Sequence, residues 1–191
     1  MKEIFQGRIL TVPNLLSILR LGMVPLFLWI YLGLNEPLWT AGLLVLSGLT
    51  DTIDGFIARK FNQVSNLGKA LDPFADKVTQ IAVVICLSIR FPRLWVVSGT
   101  LFLKELFSLT TSLMAIHATG VVTGADWHGK VTTTLMYITM IAHLVFPDIS
   151  DGVSVALTAL CTGMILLSGV LYGIRNIHSI RTGKEEEATE S

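Results

Sequence analysis

The chain alternates long apolar runs with short polar breaks. The runs cover residues 14–34, 38–61, 71–89, 94–118, 131–146 and 153–178. A helix rising about 1.5 Å per residue needs about 20 mostly apolar residues to cross a bilayer, so each run predicts a transmembrane helix. The breaks at 35–37, 91–92 and 147–152 are of turn length. Ahead of the first run, Glu3, Gln6 and Arg8 interrupt the apolar residues and no small-residue cleavage site follows. That pattern predicts a short amphipathic helix at the membrane surface and not a signal peptide. Pro13 suits a helix start and Pro25 a kink. Trp39 and Trp95 stand where aromatic residues mark membrane interfaces. The expected fold is therefore all-α and integral to the membrane, with six transmembrane helices preceded by a short amphipathic N-terminal helix. Residues 1–181 form one membrane domain, and the polar, acidic stretch 182–191 is a disordered tail.

Composition agrees. Of 191 residues, 52% are hydrophobic and only 15% charged, against about 25% charged in soluble domains. The formal net charge is zero, so no basic field points to nucleic acid. The positive charges are unevenly spread. Lys2, Arg8, Arg59, Lys60, Lys69, Lys77, Lys130, Arg175, Arg181 and Lys184 collect on one side, and the opposite loops hold Arg90 and Arg93. The positive-inside rule places the first side, with both termini, in the cytoplasm of a multi-pass cell-membrane protein. Cys86 and Cys161 lie in apolar runs without ligand or disulfide spacing and read as small buried hydrophobes.

The stretch from residue 51 to 76, DTIDGFIARKFNQVSNLGKALDPFAD, changes the picture. It puts Asp51, Asp54, Asp72 and Asp76 at the edge of a lipid-embedded protein, where carboxylates are costly and usually functional. Residues three and four apart share a helix face. Asp51, Asp54, Gly55 and Ala58 thus align on the second helix, with Arg59 at the edge, and Asp72 and Asp76 align on the third. Four ionised carboxylates repel one another unless cations sit among them. All-oxygen donors suit two hard divalent ions, Mg2+ or Mn2+, and a metal pair suits in-line attack at phosphorus. Gly55 and Ala58 leave room for a ligand, and Arg59 offers a fork of donors for phosphate.

The spacing DxxDGxxARx8GxxxDxxxD is met without a gap by Asp51, Asp54, Gly55, Ala58, Arg59, Gly68, Asp72 and Asp76. In this the chain resembles the CDP-alcohol phosphatidyltransferase family, with phosphatidylglycerophosphate synthases of bacteria as the nearest likeness. The resemblance implies a transferase of phospholipid biosynthesis. A phosphatidyl group passes from CDP-diacylglycerol to an alcohol and CMP leaves. It further implies that Asp51, Asp54, Asp72 and Asp76 hold two metal ions and that Asp76 is the general base. Asp51, Gly55, Ala58, Arg59 and Gly68 would contact the CDP-lipid, joined by Ser65 and by Asn14 at the start of the first helix. Homodimerisation is common in similar proteins, and Gly42, Gly48, Gly163 and Gly169 permit close helix packing.

The acceptor is read from outside this segment. Lys104 and Glu105 lie mid-span, which predicts a cavity or polar network. Lys130, in a Gly-Lys-x-x-Thr pattern, and Arg175 complete the candidate acceptor-binding set. Glycerol 3-phosphate, giving phosphatidylglycerophosphate, is the expected acceptor. Phosphatidylglycerol, giving cardiolipin, is the alternative, followed by inositol phosphate or serine. Met136 stands where glycerophosphate-using relatives commonly carry Gln. His128 is expected at the surface, and Arg20 is expected to snorkel from the first helix toward the interface. Asp148 and Asp151 read as solvated. An ion or proton transporter using intramembrane aspartates would explain the acids, but not Gly55, Arg59 and Gly68 at their spacings.

Overall fold

The computed structural model describes residues 12–60, 66–119 and 126–190, with side chains described for all of these but 12–13, 51–60, 66–72, 118 and 182–190. The described residues are almost entirely helical. The elements are α1 (Val12–Leu28), a π turn (Trp29–Gly33), α2 (Pro37–Lys60), α3 (Asn66–Arg90), α4 (Leu94–Thr119), α5 (Trp127–Val145) and α6 (Asp151–Glu190). The expected N-terminal amphipathic helix and Ser65 lie outside the described residues.

The chain divides into two compact units. The first is Met1–Arg90 with Met140–Ile149, and the second is Phe91–Thr139 with Ser150–Ser191. In the first unit, α1 packs against both α2 and α3. Pro25 lies within α1 and lacks the N–H its helix would use; one turn later the coil widens into the π turn, where Leu34 N–H reaches Trp29 O at 3.1 Å. The chain reverses at Asn35, which takes a positive φ of 55°, a conformation Asn tolerates better than most residues. Arg90 Nη1 donates to Asn35 Oδ1 at 3.1 Å, joining the end of α3 to this turn.

In the second unit, α4 packs along α6. Asn176 Nδ2 donates to Thr111 Oγ1 and Ser112 Oγ, each at 3.0 Å. Thr132 Oγ1 donates to Met164 O at 3.2 Å, tying α5 to α6. Asp151 opens α6, where its charge suits the helix dipole. Its pairing with Arg93 at 2.6 Å is solvent-exposed, so it adds little stability.

Polarity is arranged inside-out. Leu103, Met114, Leu160 and Ile174 are exposed, as are Trp39 and Trp95, whereas Asn14, Ser17, Arg20, Ser47, Gln80, Ser88, Lys104, His128 and Ser168 are buried. Apolar side chains outside and polar groups gathered within is what a bilayer demands. By length and composition, two described helices could cross a membrane, Asn14–Gly33 and Asp151–Arg181, with a shorter apolar helix at Pro37–Thr50. The others are diluted: α3 opens on the aspartate segment, α4 carries Lys104 and Glu105, and α5 is rich in Thr.

One expectation about α1 differs from what is seen. Arg20 does not snorkel; it is 0% exposed, because it shares a buried face with Asn14 and Ser17 at three-residue spacing. A side-chain carbon at Gly42 or Gly163 would meet nothing within 4 Å inside the chain, and one at Gly169 would meet the Lys104 side chain. The backbone of α6 runs to Glu190. Lys184, Glu185, Glu186, Glu187 and Ala188 are good helix formers.

Candidate active site

The aspartate segment folds as two helix ends. Asp51, Asp54, Gly55, Ala58 and Arg59 occupy the C-terminal half of α2; Gly68, Asp72 and Asp76 occupy the first turns of α3. Of the four carboxylates, Asp76 has a described side chain. It is half-buried, and Gln80 Nε2 donates to its Oδ2 at 2.8 Å. Gln80 is one turn further along α3 and is itself buried, so it fixes the carboxylate's rotation. Sequence reasoning did not single it out; the signal was its i+4 spacing from Asp76.

Two buried oxygens adjoin this region without a hydrogen-bond partner, Gln80 Oε1 and Ser47 Oγ. Ser47 stands four residues before Asp51 and Gln80 four after Asp76, so each is one turn from a candidate metal ligand. Unpaired buried oxygens are costly. They add to an all-oxygen donor set of the kind hard divalent cations prefer, and the residues present fit such a metal. Asn14 is buried on α1, the helix that packs on both α2 and α3.

The second unit holds a separate polar cluster. Arg175 Nη1 meets Asp126 Oδ2 at 2.6 Å, and His128 Nε2 meets the same oxygen at 3.2 Å. His128 Nδ1 lies 3.0 Å from Ser168 Oγ. The Tyr172 ring is central: His128 packs edge-on at 4.5 Å, the Arg175 guanidinium lies over it at 4.9 Å and Lys104 Nζ at 5.3 Å. Tyr172 Oη accepts from the Asp126 N–H at 3.2 Å. Lys104 Nζ also contacts Glu105 Oε1 at 2.7 Å, in line with the polar network expected of it.

Lys104 and Arg175, two of the three candidate acceptor contacts, thus meet around one ring. Lys130 does not join them. It is exposed, and standing two residues beyond His128 it projects from roughly the opposite face of α5. His128 is buried and not at the surface, because Asp126 and Ser168 satisfy both ring nitrogens. Asp126, Ser168 and Tyr172 were not found in the sequence. Their contacts between α6 and the start of α5 reach across 40 to 49 residues, beyond any helical spacing.

Gly129 explains how Tyr172 reaches this position. A Cβ there would stand 2.5 Å from Tyr172 Oη but 3.4 Å from the next ring atom. Gly129→Ala is expected to destabilise the protein by about 1–3 kcal/mol, the usual scale of overpacking. Adding Tyr172→Phe removes the clashing oxygen and is expected to restore most of the loss, read as thermal unfolding in detergent. A double variant no more stable than Gly129→Ala would contradict the placement.

A family model for CDP-alcohol phosphatidyltransferases matches residues 10–170. The chain belongs to that family. The family uses divalent metal ions, and its members are membrane-associated enzymes. A CDP-diacylglycerol–glycerol-3-phosphate 3-phosphatidyltransferase of Sodalis glossinidius is 33% identical over 153 residues, covering 77% of this chain and 84% of that one. The Bacillus subtilis protein of the same name is 28% identical over 196 residues, covering 89% and 97%. A CMP-forming cardiolipin synthase of Streptomyces coelicolor is 44% identical over 88 residues, 44% of this chain and 41% of that one. The chain thus spans about two-fifths or less of the length of the cardiolipin synthases it matches. Tyr172 and Arg175 fall beyond the residues matched to the family model.

Proposed function

We propose that the chain transfers a phosphatidyl group from CDP-diacylglycerol to glycerol 3-phosphate, forming phosphatidylglycerophosphate and CMP. The observation that carries the reading is the unbroken signature from Asp51 to Asp76, set on two helices that both pack on α1. The acceptor hydroxyl oxygen bonds to the lipid-side phosphorus, the phosphorus–oxygen bond to CMP breaks, and Asp76 takes the hydroxyl proton. Gln80 keeps the Asp76 carboxylate oriented for that transfer. Asp51, Asp54, Asp72 and Asp76 would hold two divalent ions, Mg2+ or Mn2+, which when bound neutralise the phosphate charge. Asn14, Asp51, Gly55, Ala58, Arg59, Ser65 and Gly68 contact the CDP-lipid, and Lys104, Lys130 and Arg175 receive the acceptor. Six helices span the cell membrane, the active site and both termini face the cytoplasm, and the protein works as a homodimer.

Three relatives that each match about three quarters or more of this chain carry the glycerol-3-phosphate name, which supports that acceptor. The higher local identity to cardiolipin synthases favours phosphatidylglycerol as the second reading. Purified protein offered CDP-diacylglycerol with each of glycerol 3-phosphate, phosphatidylglycerol, inositol phosphate and serine separates them by lipid product. Phosphatidylglycerophosphate as the main product supports the first reading; cardiolipin would replace it with the second. Lys130→Ala is expected to raise the acceptor KM more than the CDP-diacylglycerol KM, and the reverse would move Lys130 to the donor.

A further inference from the structure

Each cation in the Tyr172 cluster already has a carboxylate partner at close range. Lys104 is held by Glu105 at 2.7 Å and Arg175 by Asp126 at 2.6 Å. Two cations against two carboxylates sum to zero, with His128 left out of the count. Glu105 and Asp126 differ in kind. Glu105 is the immediate chain neighbour of Lys104, whereas Asp126 reaches Arg175 across 49 positions. Asp126 has two arms. Its backbone N–H donates to Tyr172 Oη, and its carboxylate takes Arg175 and His128 on one oxygen. The first arm survives any side-chain replacement, so the loop stays anchored when the charge is removed.

We propose that Asp126 is a specificity-determining counter-charge: it positions Arg175 over Tyr172 and, by neutralising it, weakens the cluster's hold on an anionic phosphate. The proposal rests on the reading of Lys104 and Arg175 as acceptor contacts. A phosphate arriving at Arg175 competes with a carboxylate that already holds Nη1, one of the donors a phosphate would use. His128, on the same oxygen, ties the carboxylate in place. The internal anion therefore lowers affinity for any phosphate-bearing acceptor, glycerol 3-phosphate included, and so sets the acceptor KM.

The test is direct binding of inorganic phosphate to the full-length protein in detergent, by calorimetry, alongside acceptor kinetics. Asp126→Asn keeps an oxygen that accepts from Arg175 and His128 but removes the charge. It is expected to bind phosphate about fivefold more tightly, the scale of a part-exposed ion pair. The glycerol 3-phosphate KM is expected to fall by a similar factor, with the CDP-diacylglycerol KM unmoved. Asp126→Ser, also neutral and oxygen-bearing, is expected to shift phosphate binding in the same direction and serves if the Asn protein fails to fold. Phosphate binding equal to or weaker than wild type in the folded neutral variants would overturn the proposal. Failure of the functional reading looks different. Wild-type protein would then release no CMP with any acceptor, and the phosphate comparison would still decide the role of Asp126.

Discussion

Asp76→Asn is expected to lower kcat by about a thousandfold, within the range assigned to a positioned general base. The amide is nearly isosteric with the carboxylate and its Oδ1 still accepts from Gln80, so local packing is retained. What it loses is the capacity to take a proton from the acceptor hydroxyl. The expected pattern is a collapse of CMP release with CDP-diacylglycerol binding close to wild type, measured by single-turnover kinetics and by equilibrium binding in detergent. Activity near the wild-type level would remove Asp76 as the base. Loss of donor binding in step with turnover would make it a binding residue instead.

Metal removal is the second large effect. Asp51, Asp54, Asp72 and Asp76 carry a formal charge of −4 within 26 residues, and without counter-ions their mutual repulsion opposes both folding and phosphate binding. Chelation is therefore expected to stop CMP release completely, with recovery on adding Mg2+ or Mn2+. A second readout is independent of turnover. A ligand that binds only the folded state at 100 times its dissociation constant adds about 2.7 kcal/mol, so the unfolding temperature is expected to fall on chelation and rise again with metal. Activity that persists in chelator would sink the metal assignment.

How much was legible in the sequence depends on the range of the interaction. Helix extents followed from apolar runs, and the turn at Asn35 from its polar break. The aspartate segment could be placed because fixed spacing on a helix is local information. Gln80 was within reach of the same rule. The Asp126–His128–Ser168–Tyr172–Arg175 cluster was not: Ser168, Tyr172 and Arg175 share a face of α6 by spacing, but no spacing connects them to Asp126 and His128 at the start of α5. His128 illustrates the consequence: a histidine in a polar sequence reads as exposed until Ser168 supplies its partner. Arg20 shows the same limit. Hydropathy placed it within a span, but the side of the helix it occupies is decided by the packing of α1 on α2 and α3. Among the described residues two helices pass the length and hydropathy of a membrane span, and Lys104 and the motif residues lower the hydropathy of others.

The most direct test of the central claim follows a single phosphorus. CDP-diacylglycerol labelled at the phosphate next to diacylglycerol is mixed with purified protein, divalent metal and glycerol 3-phosphate, and both lipid and aqueous phases are analysed. Phosphatidyl transfer predicts that the label moves into phosphatidylglycerophosphate while unlabelled CMP appears in equal amount. Label recovered as phosphatidic acid in the presence of acceptor, or retained in CDP-diacylglycerol with no CMP formed, would contradict the account.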